Sequence, residues 1–116
     1  MNLEETMNLE EIYRQLEEQK NKRQGIVEGK IIDIQVGTIR DFVRPESIEK
    51  FRNPDANCLQ LTIETPDGYA ITKLLTISVA PQSNLQRYYR RYGCYPKVGS
   101  KYPLKFDGRF WRPADL

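Results

Sequence analysis

Hydrophobic and polar residues alternate most regularly between Asn57 and Val79, and this stretch predicts a β-hairpin. In its first half, every second position is apolar: Leu59, Leu61 and Ile63. Such alternation is typical of a strand with one buried face. The sequence TPDG at residues 65–68 has the proline and glycine that a tight turn requires. The returning strand again carries a row of apolar residues: Tyr69, Ile71, Leu75, Ile77 and Val79. Lys73 interrupts this row, which predicts a β-bulge nearby.

The first 24 residues have the period of an amphipathic helix. One apolar stripe is spaced i, i+3, i+4 and i+7: Leu9, Ile12, Tyr13 and Leu16. Asn8 and Glu11 have the spacing of a helix cap, and the pentapeptide MNLEE occurs at both 1–5 and 7–11. The stripe packs either on its own domain or on another chain as a short coiled coil. We therefore treat residues 1–24 as an oligomerisation or docking segment and 25–116 as the main domain.

The segment after this helix predicts a long strand followed by a polar connection. Gly25 suits the end of the helix, and apolar residues then recur up to position 36. Gly29 and Gly37 permit a bulge in this strand, which is long enough to bend and to serve two sheets. Between residues 38 and 56, a proline at position 45 favours a short helical turn.

The last third of the chain predicts a short helix and two more strands. Ser83 and Gly93 suit the two caps of a helix with tyrosines on its inner face. Residues 101–106 alternate as a strand, and Pro103 places that strand at a sheet edge or at a bulge. The Asp-Gly pair at 107–108 predicts a hairpin turn into a short final strand. The order of elements is thus β1-β2-β3-α-β4-β5, preceded by the N-terminal helix.

This order resembles the OB-fold over residues 25–113. The resemblance rests on five strands, on the helix bounded by Ser83 and Gly93, and on the Pro-Lys-Val-Gly entry at 96–99 to the fourth strand. It implies a mainly β protein, a five-stranded OB-like Greek-key barrel. An SH3-like barrel is the nearest alternative, but it lacks a helix of this size at this point. Compact archaeal or viral single-stranded-nucleic-acid-binding proteins are similar in architecture.

The resemblance also implies where a ligand binds. An OB-fold binds single-stranded nucleic acid or oligosaccharide across strands two and three, between the loops that follow strands one and four. That surface would comprise cations, aromatic rings and polar residues: Arg40, Phe42, Arg44, Gln60, Thr62, Tyr69, Lys73, Lys105, Arg109 and Trp111. Alternation directs one of Phe110 and Trp111 inward, and the sequence leaves both choices open.

Charge is distributed unevenly along the 116 residues. The net charge is +2, but residues 1–72 contain 9 basic and 14 acidic residues, whereas residues 73–116 contain 9 basic and 2 acidic ones. The C-terminal segment therefore carries +7. A concentrated basic charge is typical of a nucleic-acid contact, and it also occurs in proteins where it serves only solubility.

The composition offers little for catalysis or metal binding. Histidine is absent, Cys58 and Cys94 are the two thiols, and no phosphate loop or nucleophile motif occurs. We expect no enzymatic activity, no cofactor and no metal, and free thiols in a cytoplasmic protein without a membrane span. The leading hypothesis is a non-catalytic protein that binds single-stranded DNA or RNA. The alternative is an assembly protein whose N-terminal helix docks on another copy, another protein or a ribonucleoprotein.

Overall fold

The alternating stretch forms the predicted hairpin at one side of a five-stranded antiparallel sheet that curls into a nearly closed, OB-like barrel. The computed structural model describes residues 8–116, except for the side chains of residues 18–24. The first copy of the MNLEE repeat therefore lies outside the described residues. The elements are α1 (Leu9–Gln24), β1 (Ile26–Thr38), α2 (Ile39–Phe42), a 3-10 helix (Pro45–Lys50), β2 (Asn57–Glu64), β3 (Ala70–Thr76), α3 (Asn84–Tyr92), β4 (Lys101–Phe106) and β5 (Trp111–Pro113).

The long strand β1 is shared by both halves of the barrel. Residues 26–30 pair with β4 and residues 30–38 pair with β2, so the sheet order is β3-β2-β1-β4-β5. At Gly29 a Cβ atom would lie 2.5 Å from Leu104 Cδ1 and 2.8 Å from Ile63 Cγ2. Only glycine fits here, because the strand crosses directly over packed side chains. The predicted bend is confirmed, but the strand serves two partners within one sheet and not two sheets.

The predicted β-bulge near Lys73 is wrong. The pairing of β2 with β3 runs without a shift from Cys58 opposite Thr76 to Glu64 opposite Ala70. The register shift lies instead in β1, between Ile31 and Asp33. A bulge there increases local twist in the strand that must curl between two partners. Lys73 keeps its place opposite Leu61, on the row that faces the barrel interior, and is half-buried.

The apolar row of the returning strand is buried only in part. Leu75 is fully buried and Ile71 packs against the core, whereas Tyr69, Ile77 and Val79 are exposed. Tyr69 belongs to the turn, and β3 ends at Thr76 because its partner β2 begins at Asn57. Ile77 and Val79 therefore lie beyond the sheet, with Val79 91% exposed.

Strand β4 is an interior strand, so the prediction that places it at an edge is wrong. It pairs with β1 on one side and β5 on the other, without a bulge. The Pro103 carbonyl oxygen accepts from Ala114 N at 2.9 Å, so this residue's polar groups point toward β5. Strand β5 ends at Pro113, so the position opposite Pro103 lies just beyond the β4–β5 ladder. The lack of an N–H group on Pro103 therefore removes no hydrogen bond from that ladder.

Helix α3 closes one end of the barrel. The Ser83 hydroxyl accepts from Gln86 N, and Gly93 ends the helix at φ +74°, both as predicted. Tyr88 is fully buried, and its hydroxyl donates to the Lys101 carbonyl oxygen at 2.6 Å. Burial raises the pKa of this phenol, so the group stays a neutral donor. The helix is thereby fixed to the start of β4.

The two cysteines are both free. Cys58 is fully buried, and burial raises the pKa of its thiol, while Cys94 is half-buried. Among residues 8–116, no helix is long and apolar enough to cross a membrane.

Helix α1 leaves most of its apolar stripe uncovered. Asn8 Oδ1 accepts from Glu11 N at 2.9 Å, and Gly25 adopts φ +71° at the other end, so both predicted caps form. Three side chains of the stripe are 57–60% exposed: Leu9, Tyr13 and Leu16. Ile12 is half-buried. The molecule measures 61 × 33 × 21 Å, and within it the stripe is not buried on the barrel.

The Tyr88 hydroxyl gives a test of how α3 is held. In Tyr88→Phe the Lys101 carbonyl oxygen loses a buried donor, and we expect the free energy of unfolding to fall by about 1–3 kcal/mol. The measurement is urea denaturation. Tyr89→Phe is the matched control, because Tyr89 lies on the same helix and is exposed; its change should stay within about 0.5 kcal/mol. Equal losses in the two variants would contradict this role.

Candidate nucleic-acid interface

The turn between β2 and β3 projects an aromatic ring into solvent. Thr65 N donates to the Tyr69 carbonyl oxygen at 2.8 Å, and Gly68 N donates to the Thr65 carbonyl oxygen at 3.0 Å. The buried Thr65 also donates its hydroxyl to the carboxylate of Asp67. These bonds fix the backbone around Tyr69, whose side chain is 73% exposed. A large, fixed and exposed ring is available for stacking.

The turn between β4 and β5 is organised by Asp107. Its carboxylate accepts from Arg109 N at 2.9 Å, from Phe110 N at 2.7 Å and from the Arg112 guanidinium. The bond from Arg112, followed by the two backbone N–H groups, lowers the pKa of Asp107 to about 2. The turn is thus held by an ionised carboxylate at neutral pH.

These two turns face each other across an open cleft of about 440 Å³. It is lined by three aromatic side chains with polar and charged neighbours: Thr65, Asp67, Tyr69, Ile71, Arg109, Phe110 and Trp111. The cleft lies at the break in the barrel, where β3 and β5 approach each other without belonging to one hydrogen-bonded ladder.

The aromatic rings of the cleft differ in exposure. Phe110 is 56% exposed, and the Arg109 guanidinium carbon lies 5.3 Å from its ring centroid, within range of a cation–π contact. Trp111 is half-buried, packs against the core and lies 5.2 Å from Phe106, ring centroid to ring centroid. The choice that the sequence left open is therefore decided: Phe110 is the exposed ring and Trp111 the inner one. Together they provide an apolar wall with a cation at its rim.

Three residues predicted for the binding site meet in this cleft: Tyr69, Arg109 and Trp111. The alternation of residues does not select Phe110 over Trp111 as the exposed ring. The decisive signal is the Asp-Gly pair: Asp107 binds the backbone N–H of Phe110, which keeps Phe110 in the turn and starts strand β5 at Trp111.

Two other predicted residues, Gln60 and Thr62, lie on the outward-facing row of β2. They alternate with the buried Leu61 and Ile63, and both are half-buried. Among the described residues, the outward positions of β2 and β3 hold no cation, since Lys73 faces the other way. This sheet face offers hydrogen-bonding groups, but it does not offer the positive charge that tracks phosphates.

The remaining predicted residues lie away from the cleft. Three are on or just after α2: Arg40, Phe42 and Arg44. Helix α2 follows Thr38, which pairs with Asn57 at the start of β2, whereas the cleft lies past its end. Eight residues of strand separate the two places by about 24 Å. Arg40 is also paired with Asp55, Nε to Oδ1 at 3.0 Å.

Lys105 lies on the face of the β4–β5 ribbon opposite to the cleft. It is paired in register with Arg112, and its neighbour Phe106 is paired with Trp111. Since successive side chains alternate across a strand, Lys105 and Trp111 point to opposite sides. The predicted set is therefore spread over both ends of the hairpin and both faces of the ribbon.

Helix α2 is itself held by a carboxylate. The Thr38 backbone N and hydroxyl donate to Asp41 at 2.8 and 3.0 Å, and these bonds lower the pKa of Asp41. This cap fixes the start of the connection that carries Arg40 and Arg44.

Comparisons with protein families, with curated proteins and with solved structures find no match to this chain. The cleft is therefore interpreted from its own residues and geometry.

The β4–β5 turn predicts a measurable titration. Because the pKa of Asp107 is lowered to about 2, this carboxylate stabilises the turn fully above the ordinary carboxyl pKa of about 4. The stabilisation is lost as pH falls through about 2. We expect the carboxyl carbon resonance of Asp107 to titrate with a midpoint near that value, measured by NMR.

Variants at two neighbouring cations test which interaction lowers the pKa of Asp107. Arg112→Gln should raise the midpoint of Asp107 toward the ordinary value, because it removes the contacting guanidinium. Lys105→Gln removes a charge opposite Arg112 without touching the carboxylate and should leave the midpoint unchanged. A midpoint near 4 in the unaltered protein would show that the turn is not built around ionised Asp107.

Proposed function

We propose that this protein binds single-stranded DNA or RNA without catalysis, with bases stacked in the cleft between the β2–β3 and β4–β5 turns. The observation that carries the proposal is the set of three aromatic rings beside one guanidinium, around an open cleft on an OB-like barrel. Aromatic platforms with nearby cations are the chemistry with which OB-folds hold single strands.

The exposure of the rings supports stacking on bases. Tyr69 and Phe110 are each more than half exposed, yet backbone hydrogen bonds fix the turns that carry them. A base has an apolar face of similar size, and its stacking on such a ring contributes about 1–3 kcal/mol. Because every base has such a face, the cleft predicts weak sequence preference.

The geometry favours single strands over duplexes. Bases in a duplex are already stacked on each other, and their faces are inaccessible to a side chain. A strand leaving the cleft along the hairpin would pass the polar row with Gln60 and Thr62 and reach Arg40 and Arg44 after about 24 Å. On this path, phosphate contacts concentrate at the two ends, with hydrogen bonds between them.

Stacking can be tested with one pair of exposed tyrosines. Tyr69→Ala removes a cleft ring and should weaken binding of a short single-stranded oligonucleotide by about 5- to 150-fold, the equivalent of about 1–3 kcal/mol. Phe110→Ala should act similarly. Tyr89→Ala is the matched control, because Tyr89 is 44% exposed and does not line the cleft. The readout is quenching of Trp111, the one tryptophan in the chain.

Two outcomes would contradict the proposal. One is the absence of any binding by the unaltered protein at low salt, measured by a method that does not depend on Trp111. The other is an equal loss in Tyr69→Ala and Tyr89→Ala, which would show that the bound strand does not stack in the cleft.

The charge at the rim predicts a salt dependence. Each phosphate contact on a single strand contributes about 0.7 to the slope of log affinity against log salt concentration. Arg109→Ala should reduce that slope by about this amount, since Arg109 is the guanidinium at the cleft. Arg87→Ala on α3 is the control and should leave the slope unchanged, because Arg87 does not line the cleft. Binding that is independent of salt would contradict phosphate tracking.

The alternative, an assembly function, is favoured by a different observation. The apolar stripe of α1 is exposed along most of its length. This surface is separate from the cleft and requires its own explanation.

A further inference from the structure

A second apolar surface lies between the segment that follows β3 and helix α3. This surface, the α3 groove, has a volume of about 650 Å³ and is lined mostly by apolar side chains: Leu59, Ile77, Ser78, Val79, Leu85, Gln86 and Tyr95. Val79 is 91% exposed, and Ile77 and Tyr95 are about half exposed. An apolar groove rimmed by polar residues is typical of a docking site for a helix.

The stripe of α1 has the dimensions of such a docking helix. Leu9 and Leu16 mark its ends, about 10 Å apart along the helix axis. Spacing of i, i+3, i+4 and i+7 is the pattern with which a helix fills an apolar groove. Both the stripe and the groove are exposed in the same chain, so each of them lacks a cover among the described residues.

Charge makes the two surfaces complementary. Glu10 and Glu17 are seven residues apart, so they lie on the same side of α1, along one border of its stripe. On α3, Arg90 is four residues after Gln86, which lines the groove, and therefore lies above the same wall. Across its 16 residues α1 has four glutamates and four basic residues, but residues 9–17, which carry the stripe, have three glutamates and one arginine, whereas α3 has three arginines and no acid. A docked α1 would place its acidic border beside the basic rim.

The points of attachment favour a second molecule as the partner. Helix α1 joins the barrel at the start of β1, but the Leu59 wall of the groove pairs with Val36, near the end of that strand. Within one molecule the stripe of α1 is exposed and the groove is also exposed, so the helix does not reach its own groove in this structure. The helix of another copy meets no such restriction.

We propose that α1 of one molecule docks by its apolar stripe in the α3 groove of a second copy, and that the second copy does the same in return. A reciprocal exchange of this kind closes a two-fold symmetric dimer and buries the stripe and groove twice. It does not depend on nucleic-acid binding, because no residue of the cleft lines the groove.

The oligomeric state of the full chain tests the proposal. Light scattering and sedimentation should give twice the chain mass of 13.6 kDa, with dissociation on dilution. Leu16→Asp should raise the dimer dissociation constant at least about tenfold, because docking then desolvates a carboxylate against apolar surface. Gln15→Asp introduces the same charge next to it but outside the stripe and should change dimerisation far less.

The groove has its own matched pair of variants. Val79→Asp should weaken the dimer as Leu16→Asp does, whereas Val98→Asp places a carboxylate at another exposed valine that does not line the groove and should not. Arg90→Glu should also weaken the dimer, and combining it with Glu17→Arg should restore it. All six side chains concerned are exposed, so circular dichroism should show unchanged folding.

Each possible outcome of these experiments either supports or overturns the proposed dimer. A monomer at every concentration overturns the proposal, whether α1 stays exposed or folds back onto its own groove. A dimer that is equally stable in Leu16→Asp and Gln15→Asp, or in Val79→Asp and Val98→Asp, overturns it as well. Loss of the dimer with oligonucleotide binding retained separates this proposal from the function of the cleft.

Discussion

The bending of strand β1 is the constraint on which the rest of the structure depends. One strand must hydrogen-bond to β4 with its first half and to β2 with its second, and it can do so only by curling over the core. The shift between Ile31 and Asp33 supplies extra twist. Gly29 has no Cβ, and a Cβ there would lie only 2.5 to 3.0 Å from atoms of Leu104, Ile63 and Glu64. Because β1 takes the central position, β3 and β5 become the two ends of the sheet.

The cleft is a consequence of that arrangement. The ends of the sheet approach each other without joining, which leaves apolar side chains such as Ile71 and Trp111 near an opening. Each flanking turn contains an aspartate bonded within the turn, Asp67 on one side and Asp107 on the other. The turns are therefore fixed while the rings they carry are exposed. A barrel that closed completely would have paired these edges and would have had no such cleft.

Local signals predicted the elements well, since they act within a few residues. The caps at Asn8, Ser83 and Gly93 follow from side chains and backbone that are adjacent in sequence. Properties that depend on the length or position of a distant partner were predicted less well. Pro103 is tolerated in an interior strand only because β5 is short, and Val79 is exposed only because β2 begins at Asn57.

The candidate site shows the same limit. Alternation could not choose between Phe110 and Trp111, since the answer depends on where the turn held by Asp107 ends. The OB-fold resemblance places Lys73 on the binding surface and the sequence pattern predicts a bulge beside it, but the uninterrupted register keeps Lys73 opposite Leu61. In a barrel, one residue of register decides which side chains share a face. A site assembled from two turns and two strands therefore cannot be predicted from residue types alone.

The proposed dimer and the proposed nucleic-acid binding use different surfaces of the same barrel. Exchange of α1 would cover Val79 and the α3 groove, and it leaves the rings of Tyr69 and Phe110 exposed. A dimer would then carry two clefts on one rigid body. A strand long enough to reach both would bind the second cleft as an intramolecular step, with an affinity that exceeds that of either cleft alone. Two modest stacking sites would in this way bind a long strand more tightly than one cleft binds a short strand.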